Sequence, residues 1–256
     1  MLTAIIEASG RKIIAGDSYR VLGPFKCPGC GREVILRKGE FKLPHFAHRP
    51  PHTCPWGEGE SEIHLLGKSI VYNILEKHGH YVTLDLEKDF GRVVADVFVA
   101  YRGIAAAFEI QRSRIPVSEF IRRTTAYAAM NVHVLWLVPF SDEVLAEGYS
   151  PSICEKWLHA LYFGRVYYLR RDGSVLPVHF DEYTLTAPGG MSLGADGELV
   201  EDGPMEYRSK RYRTPLPGKT LDLSTHFRRC RRSSWKGGSI EIPSCLVLMD
   251  KLKKWW

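Results

Sequence analysis

The sequence predicts an α/β fold built around a sheet, and three observations carry that expectation. Residues 93–99 and 104–111 are β-branched, aromatic and apolar runs separated by a tight turn at Arg102-Gly103. Residues 61–78 repeat Ile63, Leu66, Ile70 and Ile74 at helical spacing and stop at Gly79. A second helix over about 119–130, opened by Pro116 with Ser118 as its N-cap, leads into an apolar strand at 132–138 that ends at Pro139. With 256 residues, 45% hydrophobic and 25% charged, the chain has room for one mid-sized domain and additions. No apolar run reaches the length needed to cross a membrane, so no membrane partner is expected.

The elements divide the chain into four stretches. Residues 1–58 begin with a hairpin around Ser9-Gly10 and continue into a cysteine-bearing module. Residues 59–140 form the sheet core. A helix at 153–163 and strands at 165–169 and 175–180, turning at Asp172-Gly173, extend it over 141–183. From 184 to 256 the pattern fades into Gly, Pro and polar residues and reads as a loose basic tail, with 13 Lys and Arg from Tyr207 onward. There Arg228, Arg229, Arg231 and Arg232 interleave with Phe227 and Trp235, a composition suited to phosphate contact and base stacking or to a solvated segment.

The turn at Arg102-Gly103 sets a register in which Asp96 faces Glu109 across the ladder. Opposed side chains have Cβ atoms about 4.5–5.5 Å apart, and like charges there repel, so a cation is expected between them. Hard oxygen donors on one face suit magnesium or manganese, and Gln111 lies on the same face as Glu109. Pairing with Arg92, Arg112 or Arg114 is the simpler account of the same burial. Glu62 sits about 40° from Leu66 around the first helix, at the edge of its apolar stripe, and could lean toward Asp96. It could equally complement the helix dipole. His64 and Lys68, on the same helix, are weaker candidates, since most such residues are simply solvated.

Softer ligands cluster upstream. Cys27-Pro-Gly-Cys30, His45-Phe-Ala-His48 and Cys54 have the spacing of a closed structural zinc site. The favoured set is Cys27, Cys30, His48 and Cys54, with His45 as the alternative and His52 a sixth candidate. A redox dithiol lacks the surrounding strand-helix pattern it needs. Nothing resembles a signal peptide, so reduced thiols and a cytoplasmic setting are expected.

The pattern of Asp96, twelve residues, then Glu109-Ile110-Gln111 resembles the metal site of the restriction-endonuclease-like (PD-(D/E)xK) nucleases. Ala95 stands where proline often precedes the aspartate, and Gln111 stands where lysine is usual. A helix in one branch of that fold carries Gln-x-x-x-Tyr, and Arg123 and Tyr127 have that spacing here. The ordered series of the Cys-Pro-Gly-Cys knuckle, His-Phe-Ala-His, Ser-Glu-Ile-His with Lys68, Ala-Asp-Val, Glu-Ile-Gln-Arg-Ser and Arg-Thr-Thr-Ala-Tyr resembles the CoiA-like competence protein family over about residues 20–180. That resemblance implies a zinc-bearing N-terminal module joined to a restriction-endonuclease-like domain acting on DNA in transformation, recombination or defence, with recombination proteins as partners. On that reading Asp96 and Glu109 hold magnesium or manganese, Glu62 and Gln111 assist, and Arg112, Arg122, Arg123 and Tyr127 contact DNA. A non-catalytic DNA-binding recombination mediator of the same fold is the alternative, and RNA is a further candidate substrate.

Overall fold

In the computed structural model the described residues form a five-stranded sheet from the start of the chain, a large forked nine-stranded sheet, and two separate two-stranded hairpins near the C-terminus. The structure describes residues 1–51, 54, 56, 60–79, 81–111, 115–193, 198–201 and 203–256. Strands β1 (Thr3–Ile6), β2 (Lys12–Ile14), β3 (Phe25–Lys26), β4 (Glu33–Arg37) and β5 (His45–Ala47) form an antiparallel sheet in the order β2-β1-β3-β4-β5. Its own small core gathers Ile6, Phe25, Val34, Leu36 and Phe46 around Cys27 and Cys54. Gly10, at φ 65°, takes the left-handed conformation that the predicted hairpin turn requires.

The large sheet follows helix α1 (Glu62–His78). Strands β6 (Thr83–Asp89), β7 (Val94–Tyr101) and β8 (Ile104–Ile110) run as an antiparallel meander. Helix α2 (Val117–Ala129) then crosses over to β9 (Val132–Pro139), parallel to β8. Helix α3 (Ile153–Leu161) makes a second crossover to β10 (Val166–Leu169), parallel to β9, and β11 (Val175–Ala187) returns antiparallel. These two crossovers are what parallel pairing demands, because a short loop cannot return the chain to the same end. Proline at 116, not Ser118, occupies the α2 N-cap, and no side-chain cap bond forms there.

Residues expected as a loose tail are folded. Beyond β11 come β12 (Met191–Leu193), β13 (Leu199–Glu201), β14 (Met205–Pro217), β15 (Phe227–Arg232), β16 (Trp235–Gly237), β17 (Ile240–Ile242) and β18 (Cys245–Asp250). Strand β14 pairs with β11 along most of its length, and β18 enters the sheet beside β9, with Val247 opposite Val134. The sheet therefore forks at β9, which carries β10 near its end and β18 nearer its middle. Burial explains the correction: Cys245-Leu246-Val247-Leu248 is an apolar run that disappears into the core, and buried Asp250 accepts from Arg165 and from the Tyr167 hydroxyl, each at 2.7 Å. Overall polarity masked that short strand. No helix among the described residues is long and apolar enough to cross a membrane.

Candidate active site

Helix α1 is set by its ends and by one close approach. Ser61 caps it, its side chain accepting the His64 amide at 3.3 Å, and Gly79 closes it at φ 61°. A Cβ on Gly67 would lie 2.8 Å from Cγ2 of Ile110, so only glycine lets the helix close on the end of β8. Its buried face is Leu65, Gly67, Lys68, Val71 and Leu75. The stripe expected from Ile63, Leu66, Ile70 and Ile74 is thus only partly buried, and the helix is rotated relative to that reading. A glycine and a lysine on the buried side carry no hydrophobic signal, which is why the sequence pattern pointed elsewhere. The rotation corrects Glu62: it is exposed on the first turn, while His64 and Lys68 face Asp96.

The meander brings three buried carboxylates into one row. The β6–β7 pairs Leu86↔Val97 and Lys88↔Ala95 leave Glu87 opposite Asp96. The β7–β8 ladder has the predicted register and ends at Val97↔Phe108, which leaves Asp96 and Glu109 one residue beyond it on the two strands. At that point the Asp96 carboxylate takes the Ile110 amide at 2.8 Å. Glu87 was not among the expected residues. It adopts φ 54°, a strained conformation for a residue with a long side chain, which marks a position held by its surroundings.

Each carboxylate is met by a donor of the chain itself. Asp96 Oδ2 also faces His64 Nε2 at 3.0 Å, and its Oδ1 lies 4.0 Å from the Lys68 ammonium. Lys68 is about as buried as a residue can be, at 1% exposure, and donates to Glu87 at 2.6 Å and to Glu60. Glu87 additionally accepts the backbone amides of Leu2 and Thr3 and the Thr3 hydroxyl, tying the N-terminal sheet to the core. Glu109 accepts from Arg123 on one oxygen and from the Tyr127 hydroxyl on the other. Arg123 also donates to the Val94 carbonyl at 2.9 Å and lies over the Trp136 ring.

These contacts drive the acidities apart. Burial opposes ionisation of Asp96, yet the charges of His64, Lys68 and Arg123 and the His64 hydrogen bond hold its carboxyl well below the usual range. Glu87 behaves alike: burial is outweighed by Lys68, and its carboxyl falls to about 2. Burial dominates at Glu109 and raises its carboxyl to about 8 against the pull of Arg123. His64 is raised because Asp96 outweighs its burial, and Lys68 is held far above its ordinary value by Glu87 and Glu60 despite burial. Neighbouring acids with opposed shifts are a mark of functional sites, although structural ion-pair networks produce them too.

The remaining expected residues fall into two groups. Arg123 and Tyr127, expected at DNA, are turned inward onto Glu109; Tyr127 is fully buried. Arg122 stays at the surface, paired with Glu119 at 2.7 Å and donating to the Arg92 carbonyl at 2.9 Å. Gln111 is half-buried, its backbone N–H donating to the Leu137 carbonyl at 2.8 Å, just past the end of β8. Arg112 and Arg114 lie outside the described residues, as does His52.

The cysteines form a separate cluster. Ligand atoms of Cys27, Cys30, His48 and Cys54 all lie within 4.8 Å of one another, with Cys27 and Cys54 sulfurs 3.9 Å apart and Cys30 Sγ 3.2 Å from His48 Nε2. Four such atoms at these separations suit a tetrahedral ion with metal–sulfur bonds of about 2.3 Å. His45 stands apart, its Nδ1 against the Leu43 carbonyl at 2.9 Å, because an odd separation along an extended segment sends it and His48 to opposite sides. Burial pushes the Cys27 thiol up to about 12, so its thiolate needs a cation beside it. The cluster could hold a structural metal such as zinc.

Residues 17–57 match the family model for the N-terminal domain of competence protein CoiA, and residues 60–146 match the model for its nuclease-like domain. Competence protein CoiA of Bacillus subtilis (strain 168) is 30% identical over 118 residues, covering 46% of this chain and 32% of that protein. The chain thus spans about a third of the length of this curated relative. No solved structure matches it. The two domain matches, in the order found here and joined at the start of α1, show that the chain belongs to the CoiA-like family.

Proposed function

We propose that this chain is a metal-dependent DNA nuclease whose core takes the restriction-endonuclease-like fold, working in transformation, recombination or defence. The observation that carries the reading is the opposition of buried Asp96 and Glu109 across β7 and β8, inside the stretch that matches a nuclease-like domain. Their oxygens are the donor type that magnesium or manganese takes. When bound, such an ion supplies Lewis acidity and lowers the pKa of a coordinated water. Asp96 and Glu109 would hold it, and for Glu109 this means exchanging contacts with Arg123 and Tyr127.

The chain's own groups account for the rest. Gln111 replaces the usual lysine and orients a water through its amide. The Lys68 ammonium, 4.0 Å from Asp96, supplies the positive charge that this position otherwise lacks. Arg122, at the surface, contacts phosphates without reading sequence, the role also expected of Arg112 from the sequence. Zinc at Cys27, Cys30, His48 and Cys54 is structural, and a reducing cytoplasm suits those thiolates. Glu62 has no part that its exposed position supports.

A second reading has its own support: a DNA-binding recombination mediator that keeps the fold and does not cut. Both Glu109 oxygens and Asp96 Oδ2 are already satisfied by protein donors, so the site is neutralised without an ion. Incubating the protein with linear, nicked and single-stranded DNA in magnesium or manganese, beside Asp96→Ala and Glu109→Ala, separates the two. The nuclease reading expects metal-dependent cleavage abolished in both variants. DNA retained intact under every condition favours the mediator.

A further inference from the structure

The C-terminal strands build a cleft that lies outside the family matches and apart from the carboxylate row. It opens between α3, Phe180 of β11, Arg213 of β14 and the β16–β17 hairpin, with a volume of about 480 Å³, the size range of small-molecule and nucleotide sites. Three cations line it, Lys156, Arg213 and Arg232, and no lining residue is acidic. Two aromatic rings stand at it with unusual exposure, Phe163 at 45% and Trp235 at 43%.

The cleft is built rather than incidental. Arg232 lies with its guanidinium carbon 4.1 Å from the Phe163 ring centre, and its buried Nε has no hydrogen-bond partner among the described residues. Such an orphaned donor is costly unless something accepts from it. Arg213 is held by the carbonyls of Ser209 and Tyr212, each at 2.7 Å, which anchor the side chain without neutralising it. Trp235 is folded back over the backbone of its own hairpin: a Cβ on Gly237 would come within 2.4 Å of the ring. On β15, exposed Arg228 lies on the same strand face as Arg232 and extends the positive charge along it, while Arg229 and Arg231 project from the other face.

We propose that this cleft binds a nucleotide unit of single-stranded nucleic acid, with the base against Trp235 and Phe163, the phosphate at Lys156, Arg213 and Arg232, and the strand continuing along β15. Cations alone would fit any polyanion. The exposed rings select a ligand with a free planar face, which an unpaired base offers and a base within a duplex does not. The inference rests on no catalytic property of Asp96 or Glu109.

Anisotropy of a fluorescein-labelled 12-mer oligodeoxythymidylate, titrated with the full chain at several salt concentrations, tests it. Trp235→Ala should weaken binding by at least about fivefold, as loss of one stacking platform does. Lys156→Glu should weaken it and flatten its salt dependence. Asp96→Ala should leave it unchanged, and a blunt duplex of equal length should bind more weakly. Competition by thymidine 5′-monophosphate that also requires Trp235, at an affinity matching the 12-mer, would support the same cleft with a free nucleotide as its source. Affinity for the 12-mer unchanged in both Trp235→Ala and Lys156→Glu overturns the proposal. So does equal binding of the duplex or of a polyglutamate peptide. No metal-dependent cleavage by the unaltered chain, with these affinities as expected, would count against the nuclease reading alone.

Discussion

Among the described residues a thiol–imidazole cluster and a row of buried carboxylates are neutralised in opposite ways. At the N-terminal cluster, three thiols and an imidazole face one another with no protein cation among the four, and burial, with the neighbouring Cys30 and Cys54 thiols, raises Cys27. Along the carboxylate row every acid has a cationic neighbour from the chain: Lys68 for Glu87, His64 and Lys68 for Asp96, Arg123 for Glu109. The difference teaches that similar ligand density carries different demands. A thiolate set without internal counter-charge needs its ion in order to fold, whereas an acid row with its own cations folds first and can exchange partners later.

The largest effect that would break this comparison is chelation. Removing metal, or substituting Cys30→Ser, should collapse the five-stranded module, since structural zinc contributes about 10–16 kcal/mol in small zinc-binding peptides. Hydrogen exchange should show the module losing protection while β7–β9 keep theirs. A module equally protected after metal is stripped would show the cluster to be self-sufficient. Next in size is Lys68→Met, which leaves Glu87 and Asp96 short of a buried cation and should cost about 3–5 kcal/mol in denaturant unfolding. Adding Glu87→Gln to it should recover part of that loss.

A smaller effect sharpens the same contrast through pH. Glu87 has a lowered carboxyl, so its contribution is fully present above about 4.5 and is lost as pH falls through about 2. That interval corresponds to about 3 kcal/mol, and Glu87→Gln should remove it from the acid limb of an unfolding curve. Glu109 has the opposite sign. Its raised carboxyl is protonated longer in the folded state, so stability should decline between about 4.5 and about 8, and Glu109→Gln should flatten that limb. Unfolding midpoints by circular dichroism across this range measure both.

Much of the core was legible in the sequence because its signals are local. The Arg102-Gly103 turn dictated the β7–β8 register and with it the opposition of Asp96 and Glu109. Gly79 and Ser61 marked both ends of α1, and the Cys-x-x-Cys turn with a later His and Cys marked the four clustered ligands. What was illegible depended on partners distant in the chain. Arg123 and Tyr127 read as surface residues because nothing nearby shows that α2 lies over Glu109. Lys68 read as solvated because its counter-charges come from Glu60 and from Glu87, which lies on a different element.

By itself the sequence determined helix α1, the order of elements from β7 to β11, the central hairpin register, the cysteine cluster and the family, since spacing along one segment decides these. The tertiary structure alone decided which face of α1 is buried, because Gly67 and Lys68 are selected by close approach to Ile110 and by buried acids rather than by hydrophobicity. It alone turned the basic tail into strands, with β18 inserted beside β9 and Asp250 locked to Arg165. Pairing across more than a hundred residues leaves no local signal, and the buried charges it permits have meaning only beside the partners that neutralise them.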